Sequence, residues 1–181
     1  MKSTSDMPAW KNLQRISAEL SELVMHVRTS TVTISGMNSD LTGGGSGSGW
    51  VFDRAGHVVT NHHVVEGLSG TIRVKPSGRP ELVGTLVGSD EENDLAVLHV
   101  EGMQAPPIPV REGPAMLGEL CVALGSPLGL RESASLGIVS GLSRQLPRPE
   151  GQPIEEVIQT DASIRDRKST RLNSSHLVIS Y

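Results

Sequence analysis

A chain of 181 residues is long enough to bury a core without disulfide or metal staples, and its formal net charge of −4, with Lys and Arg scattered, argues against nucleic acid as a partner. Apolar residues supply 36% of the chain and aromatics only 2%, so the core must come from Val, Leu, Ile and Ala rather than stacked rings. The single cysteine, Cys121, excludes an internal disulfide or a thiol cluster for structural zinc, and reads as a small buried side chain between Leu120 and Val122.

Met1 to Met7 are polar, with no apolar run behind them of the kind a secretory signal needs, and no segment is apolar enough to span a membrane. The compartment stays open: cytoplasmic as the sequence stands, periplasmic if the start lies upstream. Between Pro8 and Val27 the apolar Trp10, Leu13, Ile16, Leu20, Leu23 and Val24 recur at helical spacing, which predicts an amphipathic lead-in helix with proline in its first turn.

After that helix the pattern changes to short β-type runs separated by Gly, Pro, Ser and Asp. The runs are Thr31–Ser35, Gly49–Asp53, Val58–Asn61, Thr71–Lys75, Leu82–Val87, Leu95–Val100, Leu120–Leu124, Leu136–Leu142 and Val157–Thr160. No helical pattern interrupts them, so the expectation is an all-β fold, an antiparallel sandwich or barrel. The glycine-rich run from Gly43 to Gly49 lacks the spacing of a phosphate cradle and has no helix behind it, and is read as a flexible connection in front of a strand.

Two stretches carry chemistry. One, Gly56 to Val65, puts His62 and His63 just after a strand; the other, Asp90 to Val100, puts Asp94 just before one. Nucleophilic hydrolases use such a distribution, a histidine to take a proton and an acid to hold its tautomer. Each residue also has a duller reading, since a histidine after a strand is ordinarily a hydrogen-bonded surface or core residue and an aspartate before one ordinarily closes a turn. Neighbours on an extended chain point to opposite faces, so His62 and His63 are not expected to share a metal ion.

The segments Gly-Ser-Gly-x-Val, Val-Val-Thr-Asn-x-His-Val-Val, Asp-x-x-x-Asp-Leu-Ala-Val-Leu, Leu-Gly-Glu-x-x-x-Ala-Leu-Gly-Ser-Pro-Leu-Gly-Leu, Gly-Ile-Val-Ser-Gly and Ile-Gln-Thr-Asp-Ala-Ser-Ile stand here in the order of HtrA/Deg proteases, across about residues 31 to 164. The chain thus resembles a trypsin-like serine protease domain of that kind. The resemblance implies two Greek-key β-barrels of the chymotrypsin type with the site in the cleft between them. It divides the chain into a helical lead-in (1–29), a complete first barrel (30–110), a truncated second barrel (111–165) and a tail (166–181). It assigns the general base to His63, directly before Val64-Val65, and the acid that orients the imidazole to Asp94; His62 becomes a strand neighbour and Asp90 carries no catalytic role.

The implied activity is a serine endopeptidase acting on unfolded or misfolded polypeptide, without cofactor, metal or membrane span, and assembled as a trimer-type homo-oligomer when intact. The resemblance stops at Ile164. Family members continue there into Asn-Pro-Gly-Asn-Ser-Gly-Gly-Pro, which supplies the nucleophile and the oxyanion-hole amides, whereas this chain reads Arg165-Asp-Arg-Lys-Ser-Thr-Arg-Leu-Asn-Ser-Ser-His176. Ser169, Ser174 and Ser175 lack the flanking glycines of such a turn. Asp166 to His176 matches one reading frame of a widely used sequencing-library adapter, so the tail is expected to be foreign and the chain as written inactive. The alternative expectation is a non-catalytic protease-like module that holds unfolded polypeptide, as a chaperone does.

Overall fold

A computed structural model describes residues 8–38, 44–125, 133–146, 154–163 and 177–180. Helix α1 spans Pro8–Val27, the range that the apolar spacing predicts. Its C-terminal half does the packing: Leu20, Leu23, Val24 and Val27 meet Ile108, Val122, Leu124 and Trp50. Trp10, Leu13 and Ile16 on the first turns stay exposed. No helix among the described residues is long and apolar enough to cross a membrane.

Six strands then close a barrel: β1 (Thr31–Asn38), β2 (Gly44–Val51), β3 (His57–Thr60), β4 (Leu68–Pro76), β5 (Leu82–Asp90) and β6 (Leu95–Val100), in the order β1-β2-β3-β6-β5-β4 with β4 returning to β1. Every pairing is antiparallel. Period-two alternation builds the interior, as β6 shows: Ala96, Leu98 and Val100 are buried while Leu95 and His99 are exposed. Val32, Ile34, Val51, Val58 and Val74 join them in one cluster, each fully buried aliphatic contributing on the order of 1.5–3 kcal/mol. The branched aliphatics that composition demanded therefore fill the barrel.

Two local expectations need correction. Residues Gly44–Val51 form a strand, paired with β1 from Thr31↔Trp50 to Met37↔Gly44, rather than a flexible connection. Glycine is used there for room: a Cβ on Gly47 would lie 2.4 Å from a Val64 methyl, and one on Gly49 would lie 2.8 Å from the Val59 carbonyl. Second, His62–Glu66 is a one-turn helix, α2, in the connection from β3 to β4, not extended chain. His62 and His63 are thus successive helical residues, about 100° apart around an axis rather than on opposite faces of a strand.

The second sheet has the order β10-β7-β8-β9, from β7 (Leu120–Gly125), β8 (Ser133–Leu146), β9 (Ile154–Thr160) and β10 (Leu177–Ser180). The architecture is the expected all-β one, a closed barrel followed by an incomplete second sheet, with one N-terminal helix. Cys121 is buried as anticipated, its Sγ 2.9 Å from the Thr160 hydroxyl. The departure from the family pattern after Ile164, and Ser169, Ser174 and Ser175 with it, fall outside the described residues; Leu177–Ser180 pairs antiparallel with β7 from Leu177↔Leu124 to Ser180↔Cys121.

Candidate active site

Register in the barrel decides which residues meet. Thr60 pairs with Ala96, so the chain leaving β3 runs beside the chain entering β6, and residues 31 positions apart in sequence become neighbours. His63 Nδ1 lies 2.7 Å from Asp94 Oδ2 and 3.0 Å from Oδ1. The backbone N–H of His63 donates to Oδ1 at 2.9 Å. A carboxylate can only accept, so this contact calls for the ring proton on Nδ1, and in the neutral imidazole Nε2 is then the basic nitrogen. Both side chains are part-buried, 28% and 25% exposed, which shields the pair while leaving it reachable.

Burial by itself would raise the Asp94 carboxyl pKa. Hydrogen bonds from the His63 ring and backbone, with the charges of His63 and His62, outweigh that effect and hold it below the ordinary carboxylate range. Asp94 also stands in the left-handed region at φ 53°, in a turn where its N–H donates to the Glu91 carbonyl at 3.3 Å. Aspartate tolerates that conformation better than most residues.

The structure thus brings His63 and Asp94 together, and keeps His62 apart from their hydrogen bonds. His62 Nε2 lies 3.8 Å from Glu66 Oε2, and its Nδ1 is buried without a hydrogen-bond partner. Two features escaped the sequence reading. Asn61 donates from Nδ2 to the Asp94 carbonyl at 3.1 Å and to Oδ2 at 3.3 Å. It lies inside the Val-Val-Thr-Asn-x-His-Val-Val motif, which was the available signal.

The other feature is a second His–Asp pair. His57 Nδ1 lies 2.7 Å from Asp53 Oδ2, and Asp53 Oδ1 accepts from the backbone N–H groups of Ala55 and His57, both at 3.0 Å. The carboxyl is again held low, chiefly by the hydrogen bond from the His57 ring. Here, however, acid and base are four residues apart in the β2–β3 hairpin, and the carboxylate closes its own turn. Pair geometry alone therefore fails to distinguish the two, and the sequence motif around His63 does.

A trypsin-like peptidase domain matches residues 47–169, a stretch that contains both His63 and Asp94. The chain belongs to the trypsin-like peptidase family. Within it the chain is an HtrA/Deg-type sequence: it is 41% identical over 138 residues to protease Do-like 5, chloroplastic, of Arabidopsis thaliana, covering 69% of this chain and 43% of that protein. It is also 40% identical over 125 residues to a probable periplasmic serine endoprotease, DegP-like, of Hahella chejuensis, covering 68% of this chain and 26% of that one. The HtrA/Deg chain thus spans less than half the length of these curated relatives.

The crystal structure of Deg5 superposes with a TM-score of 0.72 at 33% identity, covering 91% of this chain and 80% of that one. The HtrA-type protease AlgW with tripeptide does so with a TM-score of 0.70 at 28% identity, covering 80% of this chain and 46% of that one. Family and fold of the HtrA/Deg chain therefore agree.

Proposed function

We propose that this chain carries the base and orienting acid of a serine endopeptidase, with His63 as general base and Asp94 as the residue that holds its tautomer. The observation that carries the reading is the two-point grip of the Asp94 carboxylate on one histidine, ring Nδ1 at 2.7 Å and backbone N–H at 2.9 Å. With Nδ1 committed, Nε2 takes the proton from a serine hydroxyl as its oxygen attacks the carbonyl carbon of a peptide bond. The imidazolium so formed, stabilised by Asp94, returns the proton to the leaving amine. HtrA/Deg membership supports peptide bonds of unfolded polypeptide as the substrate.

The 181 residues hold no Gly-x-Ser-Gly-Gly, so by themselves they supply neither that nucleophile nor its oxyanion-hole amides. One missing oxyanion donor is worth roughly 10²–10³ in rate, and without a positioned hydroxyl there is no covalent route. The chain as written is therefore inactive. The test replaces the tail from Arg165 with Asn-Pro-Gly-Asn-Ser-Gly-Gly-Pro and the remainder of a family second barrel. The completed protein gains fluorophosphonate labelling and casein cleavage above a His63→Ala control, and the parent chain shows neither. Stoichiometric labelling of the parent at Ser169, Ser174 or Ser175 would overturn this. So would a folded, completed chain that binds casein but takes no probe, which would favour the non-catalytic holding module.

A further inference from the structure

We infer that Asn61 is a positioning residue for the catalytic pair, its side-chain amide fixing both the backbone and the carboxylate of Asp94 against His63. The inference rests on the reading of His63 and Asp94 given above.

Asn61 occupies the N-cap of α2, where an asparagine oxygen ordinarily accepts from the N–H two or three residues on. No such bond forms. The N–H of His63, the second residue of the helix, is instead taken by Asp94 Oδ1 at 2.9 Å, so the aspartate caps the helix that carries its own histidine. The Asn61 side chain, released from capping, turns to Asp94: Nδ2 lies 3.1 Å from its carbonyl oxygen and 3.3 Å from Oδ2.

Both of those atoms can only accept, so the nitrogen of the amide must face them and its orientation is chemically determined. A single amide thereby holds two parts of Asp94. Its grip on the carbonyl restrains a peptide in the left-handed region, φ 53°, and its grip on Oδ2 restrains the same oxygen that receives the His63 ring proton at 2.7 Å. Removing it leaves the Asp94 carboxylate held only by His63, through the ring Nδ1 and the backbone N–H, and its carbonyl without the Asn61 amide.

The experiment uses the 181-residue chain and reads solvent exchange of the His63 Nδ1–H by NMR, with amide protection in β3 and β6 as the fold control. Asn61→Asp is the informative variant, because aspartate caps as well as asparagine but offers an acceptor where two donors stood. A hydrogen bond to a charged acceptor corresponds to roughly a factor of ten to a hundred. Asn61→Asp and Asn61→Ala should each speed Nδ1–H exchange at least about tenfold while the barrel amides stay protected.

Exchange within about twofold of the parent in Asn61→Asp, with Asp94→Asn fast, would overturn the inference and leave the catalytic pair standing. If Asp94→Asn also leaves exchange unchanged, the pair itself is wrong and the role of Asn61 falls with it. Loss of barrel protection in both Asn61 variants would show a general structural role and would likewise overturn it.

Discussion

Gly47→Ala tests how β2 positions the proposed base, His63. In the parent, β2 passes under α2, and a Cβ built on Gly47 would lie 2.4 and 2.7 Å from the two methyls of Val64, where ordinary contact starts at 3.4 Å. The larger deficit is about 1.0 Å, and Val64 is 6% exposed with a stiff β-branched side chain, so it cannot swing aside. The alternative is for α2 to rise. A shift of that size in His63, the residue before Val64, would stretch its 2.7 Å contact with Asp94 beyond hydrogen-bond length.

Replacing glycine by alanine stiffens the unfolded chain and would by itself stabilise by about 0.4–1 kcal/mol. Overpacking costs about 1–3 kcal/mol and should win. Urea denaturation of Gly47→Ala, Val64→Ala, the double variant and the parent measures this directly. The double variant should be more stable than the sum of the singles implies, by about 0.5–3 kcal/mol, because Val64→Ala removes the methyls that the Cβ added at position 47 would strike. In the completed enzyme Gly47→Ala should also cost on the order of 10² in turnover, the scale of a 1 Å misplacement. Additive free energies, or a Gly47→Ala single clearly more stable than the parent, would refute the close-approach argument.

In the completed enzyme, His57→Ala should leave casein cleavage near the parent rate while His63→Ala abolishes it; equal losses would mean that the Asp53–His57 pair had been wrongly set aside. Asp94→Asn should lower turnover by about 10⁴-fold. Because the Asp94 carboxyl is held below its ordinary range, its contribution to stability is fully present above the unfolded value of about 3.9 and is lost as pH falls through the lower folded value. Urea midpoints of the parent and Asp94→Asn should therefore differ at neutral pH and converge in acid, and a gap unchanged down to about pH 2 would contradict the shift.

Local information accounts for what the sequence determined. The apolar spacing of α1 is periodic over 20 residues and the β-type runs are punctuated by Gly, Pro, Ser and Asp, so the helix and the strand runs could be read before any contact was known. The order of motifs carried the family and, by resemblance to it, the proposed roles of His63 and Asp94. Only the tertiary structure decided the rest, for reasons of range. Helix α2 has five residues, little more than one turn, and shows no period for a pattern to report. The need for glycine at position 47 is set by Val64, and the use of Asn61 by an aspartate 33 residues away, through the pairing of Thr60 with Ala96. Conversely, Asp53 and His57 are close in sequence and make a pair with the same ring-to-carboxylate distance, 2.7 Å, as His63 and Asp94. Distance and chemistry define a hydrogen-bonded pair, and what separates the two is range: Asp53 closes its own turn four residues from His57, whereas Asp94 reaches His63 across 31 residues only because β3 pairs with β6 in the folded chain.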